Sequence, residues 1–239
     1  MSDTRLAEEL GGMTLFRDLP PSALARLAEG ARRVAPPDGA PLFAQGDAPD
    51  AVYAVLEGRG RVRVGAPDTA AKRLMVEVFR AGDIFGEIGV LDGAARSADA
   101  LVMGDVKLAR IPAAAFLETA ESEPALGLAL ARMLSARLRR TFGLLQDATF
   151  APLEVRLARQ VLYLLKTDSV KTERGVRLAA RFRQGDLADL LGATTRSIIS
   201  ILNAWRGSNL VAYDTEKAFL FVLDEAGLAA VAAGPRDGM

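Results

Sequence analysis

Residues Gly86–Ser97 read GEIGVLDGAARS and set Glu87 and Arg96 at the two ends of a short glycine-containing loop. A carboxylate and a guanidinium at that separation suit a ligand with both a hydroxyl and an anionic phosphate. The planar guanidinium fork matches phosphate oxygens, and the carboxylate accepts hydrogen bonds from sugar hydroxyls. Glycines let backbone N–H groups come close to an anion. An ordinary surface hairpin closed by an ion pair satisfies the same spacing, so the stretch alone leaves both readings open.

Outward from it, the chain from Arg33 to about Pro112 is built of short β-type runs. These include Val52–Gly58 (VYAVLEG), Arg61–Val64 (RVRV), Leu74–Phe79 (LMVEVF) and Val106–Ile111 (VKLARI). Several alternate with period two, and Gly46, Gly58, Gly82 and Gly104 fall between them. Many short strands with regular turns predict a sandwich or barrel-like roll. Upstream, Leu19-Pro20-Pro21-Ser22 leads into the apolar-periodic LARLAEGARRV, with Ser22 as the expected N-cap.

Downstream the period changes. Ala113–Thr119 reads as a short helix, and Glu121-Ser122-Glu123-Pro124 announces a longer one that runs to about Phe150. Leu130, Leu134, Leu138, Thr141, Leu145 and Ala148 recur at spacings of four and three, like a coiled-coil seam. Such a helix of about 26 residues spans about 39 Å, too long for the face of one small roll. Pairing with the same helix of a second subunit would bury the seam; lying across its own domain is the alternative. Pro152 breaks the chain, Leu153–Lys166 is a second amphipathic helix, and Thr167–Arg177 reads as a polar, basic connection.

Gln184–Arg206 reads QGDLADLLGATTRSIISILNAWR. Leu187, Leu190 and Leu191 give a first helix its core face, and Gly192 supplies the tight turn that ends it. Thr194 or Thr195 caps a second helix whose Ile198, Ile201 and Leu202 pack inward. Its other positions hold Thr195, Arg196, Ser197, Ser200 and Asn203. Apolar residues that fix a helix, with short polar and Arg side chains free to meet base edges and phosphates, are the pattern of a DNA recognition helix. VAYD and AFLFVLD (Ala218–Asp224) then suggest a two-stranded wing.

Composition narrows the chemistry. The 239 residues suffice for two modest domains, each with its own core. Without cysteine the chain makes no disulfide, iron–sulfur cluster or thiolate metal site. Without histidine it lacks the commonest haem and zinc ligand and the usual general base. A sensed signal is therefore expected to be a bound small molecule, with no metal or haem. An enzyme is the weakest option, because no phosphate-loop or dinucleotide fingerprint and no carboxylate pair at metal-site spacing is present. No apolar run reaches the ~18–20 residues that cross a bilayer. The opening MSDTRLAEEL lacks the zones of a secretory signal, so a cytoplasmic protein with no membrane partner is expected. Net charge is zero, yet Lys171–Arg206 holds seven basic residues to three acidic, which points to DNA contact by the C-terminal part.

These stretches together resemble the cAMP receptor protein (CRP/FNR) family of bacterial transcription regulators, over nearly the whole chain. PLFAQGDAPDAVYAVLEGRGRV, with Gly46-Asp47 and Gly58, is similar to the family's roll signature, and RAGDIFGEIGVLDGAARSADA to its nucleotide cassette. The resemblance implies an α+β chain with three parts. Residues 1–120 would form a jelly-roll-like β-roll that binds a cyclic nucleotide, 121–150 a dimerisation helix, and 151–239 a winged helix-turn-helix domain. It implies a homodimer that responds to a cyclic nucleotide (cAMP first, cGMP as the other candidate) and binds a double-stranded DNA operator of two half-sites. RNA polymerase is the further partner it implies.

In cAMP-binding members the positions of Gly86, Glu87, Ile88, Arg96 and Ser97 hold the sugar and cyclic phosphate. Those of Arg137 and Thr141 on the long helix close over the ligand and contact the base. Arg96 is then expected to be a poorly compensated cation until the phosphate neutralises it. The DNA-contacting set is Gln184, Thr194, Thr195, Arg196, Ser197, Ser200 and Asn203, with Arg196 as the base reader. Three departures stand out. Phe142 replaces a serine that cAMP-binding members supply across the dimer, and its ring would stack on the base or change which purine fits. Family members often carry Arg-Glu at Thr195-Arg196, and a further Arg at Ser200. Two other expectations remain: the same DNA-binding regulator with a different ligand or none, and a nucleotide-binding partner whose winged helix docks on protein.

Overall fold

A computed structural model describes residues 4–58, 61–67 and 73–234. Two amphipathic helices open it, α1 (Thr4–Gly11) and α2 (Pro21–Ala28). The start of α2 differs from the expected Ser22 cap, since Pro20 is the N-cap and no side chain bonds there. Proline at the first helical position has no N–H to satisfy and a φ already suited to the helix, so a capping serine is not needed.

The strands β1 (Arg32–Val34), β2 (Pro41–Phe43), β3 (Ala51–Glu57), β4 (Arg61–Pro67), β5 (Arg73–Phe79) and β6 (Ile84–Phe85) follow. After the short helix α3 (Glu87–Asp92) come β7 (Asp99–Met103) and β8 (Lys107–Pro112). They form two four-stranded sheets, ordered β1-β8-β3-β6 and β2-β7-β4-β5. The sequence of β3, AVYAVLE, shows why the layers stack as they do. Ala51, Tyr53 and Val55 face the other sheet, in a core with Phe79, Phe85, Ala100, Val102 and Leu108. Val52 and Ala54, on the opposite face, join a second core with Leu6, Phe16, Leu27, Phe116 and Leu126 from the helices. A strand covered on both faces loses the alternation of a half-exposed one.

Helix α4 (Ala113–Ser122) leads into α5 (Pro124–Phe150), a helix of 27 residues. Its surface matches the expected seam from Leu138 onward but departs from it before that. Leu126 and Leu130 are buried in the roll's helical core, with Met133 packed against it. That inward face consumes Leu130 and leaves Leu128, Leu138, Phe142 and Leu145 exposed, at 54, 54, 61 and 64 %. With Ala131, Ser135 and Thr149, also exposed, they make a row that alternates steps of three and four residues.

By compactness one unit takes the described residues up to Ala66 together with Glu77–Arg140. The other takes those from Thr141 onward together with Pro67 and residues 73–76. In the second unit α6 (Leu153–Thr167) precedes β9 (Ser169–Thr172) and β10 (Gly175–Leu178). Next come α7 (Gln184–Asp189), α8 (Thr195–Gly207), β11 (Val211–Asp214), β12 (Phe219–Val222) and α9 (Glu225–Ala233). The stretch expected to be a basic connection is thus mostly a hairpin. It extends the expected two-stranded wing to a sheet ordered β11-β12-β10-β9. Exposed, charged SVKT conceals the strand, because only its partner β10 carries a buried position, Leu178. Among the described residues no helix is long and apolar enough to cross a membrane.

Candidate functional site

Gly86–Ser97 forms a helix and turn rather than an open loop. Gly86 ends β6 in a left-handed conformation (φ 78°) and is the N-cap of α3, whose first residue is Glu87. A Cβ at Gly86 would meet Arg96 Nη1 at 2.8 Å and the Phe43 ring at 3.3 Å, so both φ and space require glycine. The backbone of Arg96 is fixed in turn by Gly46-Asp47: Gly46 N–H donates to Arg96 O, and Arg96 N–H to Asp47 O, both at 2.9 Å.

The Arg96 side chain points inward and the residue is 3 % exposed. It is not the poorly compensated cation expected. Nη1 donates to Gly86 O at 2.6 Å, and Nη2 to Ala51 O at 2.7 Å and Asp50 Oδ1 at 3.3 Å. The guanidinium also lies 4.2 Å from the centroid of the Phe43 ring. A charge withdrawn from water must find partners in the fold itself, and the carbonyls of Ala51 in β3 and of Gly86 are the nearest. Burial pulls the Arg96 pKa below its ordinary value, while Tyr53 and Asp50 act to raise it. Arg110 shares the other Asp50 oxygen. The Nε–H is left over, since Arg96 Nε is buried with no hydrogen-bond partner. An inward guanidinium with a spare N–H beside a glycine-only backbone fits an anion such as a cyclic phosphate.

Glu87 is 1 % exposed and pairs with Arg137 Nη1 at 2.6 Å, while Arg137 Nη2 donates to Ile84 O at 2.6 Å. The same guanidinium lies 4.8 Å from the centroid of the Phe79 ring. The roll therefore brings Gly86 together with Arg96, and Glu87 with Arg137. Ile88 is exposed, whereas Ser97 is also exposed at the end of the turn. Thr141 and Phe142 follow Arg137 on α5 by four and five residues and are exposed as well. Asp50, Phe43 and Arg110 escaped sequence reasoning, because each reaches Arg96 or Asp50 only through sheet pairing over long separations. Glu77 and Arg140 escaped it too, and they pair at 2.6 Å.

The helix-turn-helix is made locally. Asp186 accepts from Arg183 N–H at 2.8 Å at the start of α7, and Gly192 (φ 59°) turns the chain in the left-handed region. Tyr213 of β11 donates to Phe182 O at 2.8 Å, which ties the strand to the residue before α7's cap. Burial raises the Tyr213 pKa. Thr194 is the cap of α8: its hydroxyl accepts from Ser197 N–H at 3.2 Å and meets Ser197 Oγ at 2.9 Å. Inward go Ile198 and Leu202, as expected, and Trp205, which donates to Glu154 of α6 at 2.8 Å. The spacing 198, 202, 205 is the helical signal that would have found the tryptophan. Ile201 is only half-buried. Thr195, Arg196, Ser200 and Asn203 are exposed on α8, and Gln184 is half-buried at the start of α7.

Comparison with known proteins agrees with this construction. The family profile of the cyclic nucleotide-binding domain matches residues 33–123, and that of the Crp-like helix-turn-helix domain matches residues 155–231. The chain is 27% identical over 191 residues to the CRP-like cAMP-activated global transcriptional regulator of Mycobacterium tuberculosis, covering 80% of this chain and 84% of that one. It is 28% identical over 193 residues to the cyclic AMP receptor protein of Thermus thermophilus, covering 81% and 85%. A crystal structure of a CRP-family transcriptional regulator, also from Thermus thermophilus, superposes with a TM-score of 0.71 at 22% identity, over 86% of this chain and all of that one. With a cyclic nucleotide-binding roll in front and a Crp-like helix-turn-helix behind, the chain belongs to the CRP/FNR family of transcription regulators.

Proposed function

We propose that the protein is a homodimeric regulator whose roll (within residues 1–120) binds a purine cyclic nucleotide, and whose C-terminal part (151–239) binds an operator of two half-sites. The relatives' names put cAMP first among ligands to test, and cGMP carries the same sugar and cyclic phosphate. The observation that carries the reading is Arg96, turned inward with Nη1 against Gly86 and an unpartnered Nε. In this mechanism the phosphate takes that donor and competes with the carbonyls of Gly86 and Ala51 for the others. Glu87 accepts from the ribose hydroxyl while Arg137 holds it in place, and Ser97 borders the phosphate. Thr141 and Phe142 meet the base.

The dimer forms along α5 (in 121–150) through Leu128, Leu138, Phe142 and Leu145, a row of exposed apolar side chains that water disfavours. The ligand favours one arrangement of the paired helices, and Pro152 passes it on. Such coupling is typically ~1–3 kcal/mol, set by the difference in affinity for the two states. On DNA, Arg196 reads a base with help from Thr195, Ser200 and Asn203, while Gln184 lies at the phosphates. Thr194 and Ser197 serve mainly to cap α8. RNA polymerase is the partner at promoters, and the cytoplasm the place of action.

A second reading has one observation in its favour. Both Nη atoms of Arg96 already have partners, as they would in a roll that takes another ligand or none. A thermal-shift screen of cAMP and cGMP against wild type and Arg96→Leu separates the two. Stabilisation of wild type alone is the expected result, and no shift in either protein contradicts the proposal. Leu138→Asp with Leu145→Asp should convert the dimer to a monomer by light scattering; an unchanged mass would remove the role given to α5.

A further inference from the structure

The mechanism above leaves one charged pair unused. Glu77 of β5 and Arg140 of α5 pair at 2.6 Å, with side chains 18 and 17 % exposed. Burial raises the Glu77 pKa, against the opposing pull of Arg140 and, more weakly, of Arg137. Glu77 and Phe79 are two residues apart on one strand and share a face, and Arg137 covers the Phe79 ring. Inside the roll an aromatic row runs from Phe43 to Phe85 to Phe79, with ring centroids 6.2 and 5.4 Å apart. Arg96 stacks on Phe43 at one end of this row and Arg137 on Phe79 at the other. Arg96 and Arg137 therefore lie at opposite ends of one aromatic row, and the Glu77–Arg140 pair involves the strand that carries its Phe79 end.

We propose that Glu77 and Arg140 read the edge of the base and select guanine over adenine, so that cGMP is the preferred cyclic nucleotide. The inference rests on the cyclic-nucleotide reading of the roll. Guanine presents O6 as an acceptor and N1–H and N2–H as donors along one edge. Arg140 donates to O6, and the two Glu77 oxygens accept from N1–H and N2–H. Adenine reverses the first two positions. Its amino group would face the guanidinium and its N1 lone pair the carboxylate, setting donor against donor and acceptor against acceptor in a desolvated site. A pair that only fastened α5 to the roll would make no such distinction.

Calorimetric titration of the full-length protein with cGMP, cAMP and cIMP tests this. Wild type should bind cGMP about tenfold or more tightly than cAMP, with cIMP, which keeps O6 and N1–H but lacks the 2-amino group, in between. Glu77→Gln should weaken cGMP until the two differ by about threefold or less, and Arg140→Met should weaken it likewise. Equal or tighter binding of cAMP by wild type overturns the base assignment and leaves the roll a cyclic-nucleotide site. A guanine preference that survives both substitutions overturns the roles of these residues. Binding of no cyclic nucleotide overturns both this inference and the reading beneath it. If a variant fails to fold, the wild-type order of the three ligands still decides.

Discussion

The roll and the helix-turn-helix hold their key arginines in opposite ways. Arg96 is 3 % exposed and gripped by Gly86 and Ala51 carbonyls and by Asp50. Arg196 stands exposed on α8, and among the described residues no ion pair or hydrogen bond holds it. The difference follows from what each group must meet. A guanidinium buried before its ligand arrives needs internal partners to offset lost hydration, so the ligand must compete for it. One that meets DNA stays hydrated until the phosphates and base edges come to it. Under the proposed function, sensing is thus an exchange of partners inside a core, and DNA reading an addition of partners at a surface.

The contrast can be broken at several points. Arg96→Leu should have the largest effect. It removes cyclic-nucleotide binding and strands two buried carbonyls, costing about 2–4 kcal/mol in urea unfolding. Unfolding at the wild-type midpoint would mean those contacts contribute nothing. Arg196→Ala should cost ~1–3 kcal/mol on the cognate operator if it contacts a base bidentately. Its own stability should change by no more than about 0.5 kcal/mol, as for an exposed residue without partners. An equal loss on random DNA would make Arg196 a phosphate contact instead. Thr194→Ala should lower stability by about 1 kcal/mol through loss of the α8 cap. Thr194→Ser, which keeps the acceptor, should restore it; loss of DNA affinity with stability intact would show a direct contact. Smallest of all, Ser97→Ala at an exposed position should leave stability within about 0.5 kcal/mol and weaken only ligand binding.

The same contrast explains how much was legible in the sequence. The helix-turn-helix spans 23 residues, and its signals are local: Leu187, Gly192, Thr194 and Ile198 each act on neighbours a turn away. The cassette's glycines and Arg96 were readable for the same reason. What surrounds Arg96 was not, because Asp50 lies 46 residues away and Arg137 lies 50 from Glu87. The seam of α5 is legible only in part: Leu138 and Leu145 stand exposed as expected, whereas Leu130 packs on the roll. Leucines at 128 and 130 are equivalent in composition, and only packing on the roll decides that Leu130 turns inward. Strand β9 was missed because all four of its residues are exposed, which removes the alternation that marks a strand.

The central claim is that Arg96 exchanges internal partners for a cyclic phosphate, and its buried Nε–H is the sharpest reporter. Arginine side-chain 15N–1H spectra of the full-length protein, with the Arg96 resonance assigned by its loss in Arg96→Lys, follow that proton during titration with cGMP and cAMP. The account expects the Nε–H signal to move downfield, as it gains a phosphate acceptor, in step with the heat of binding. A resonance that stays fixed while calorimetry reports saturation would contradict it.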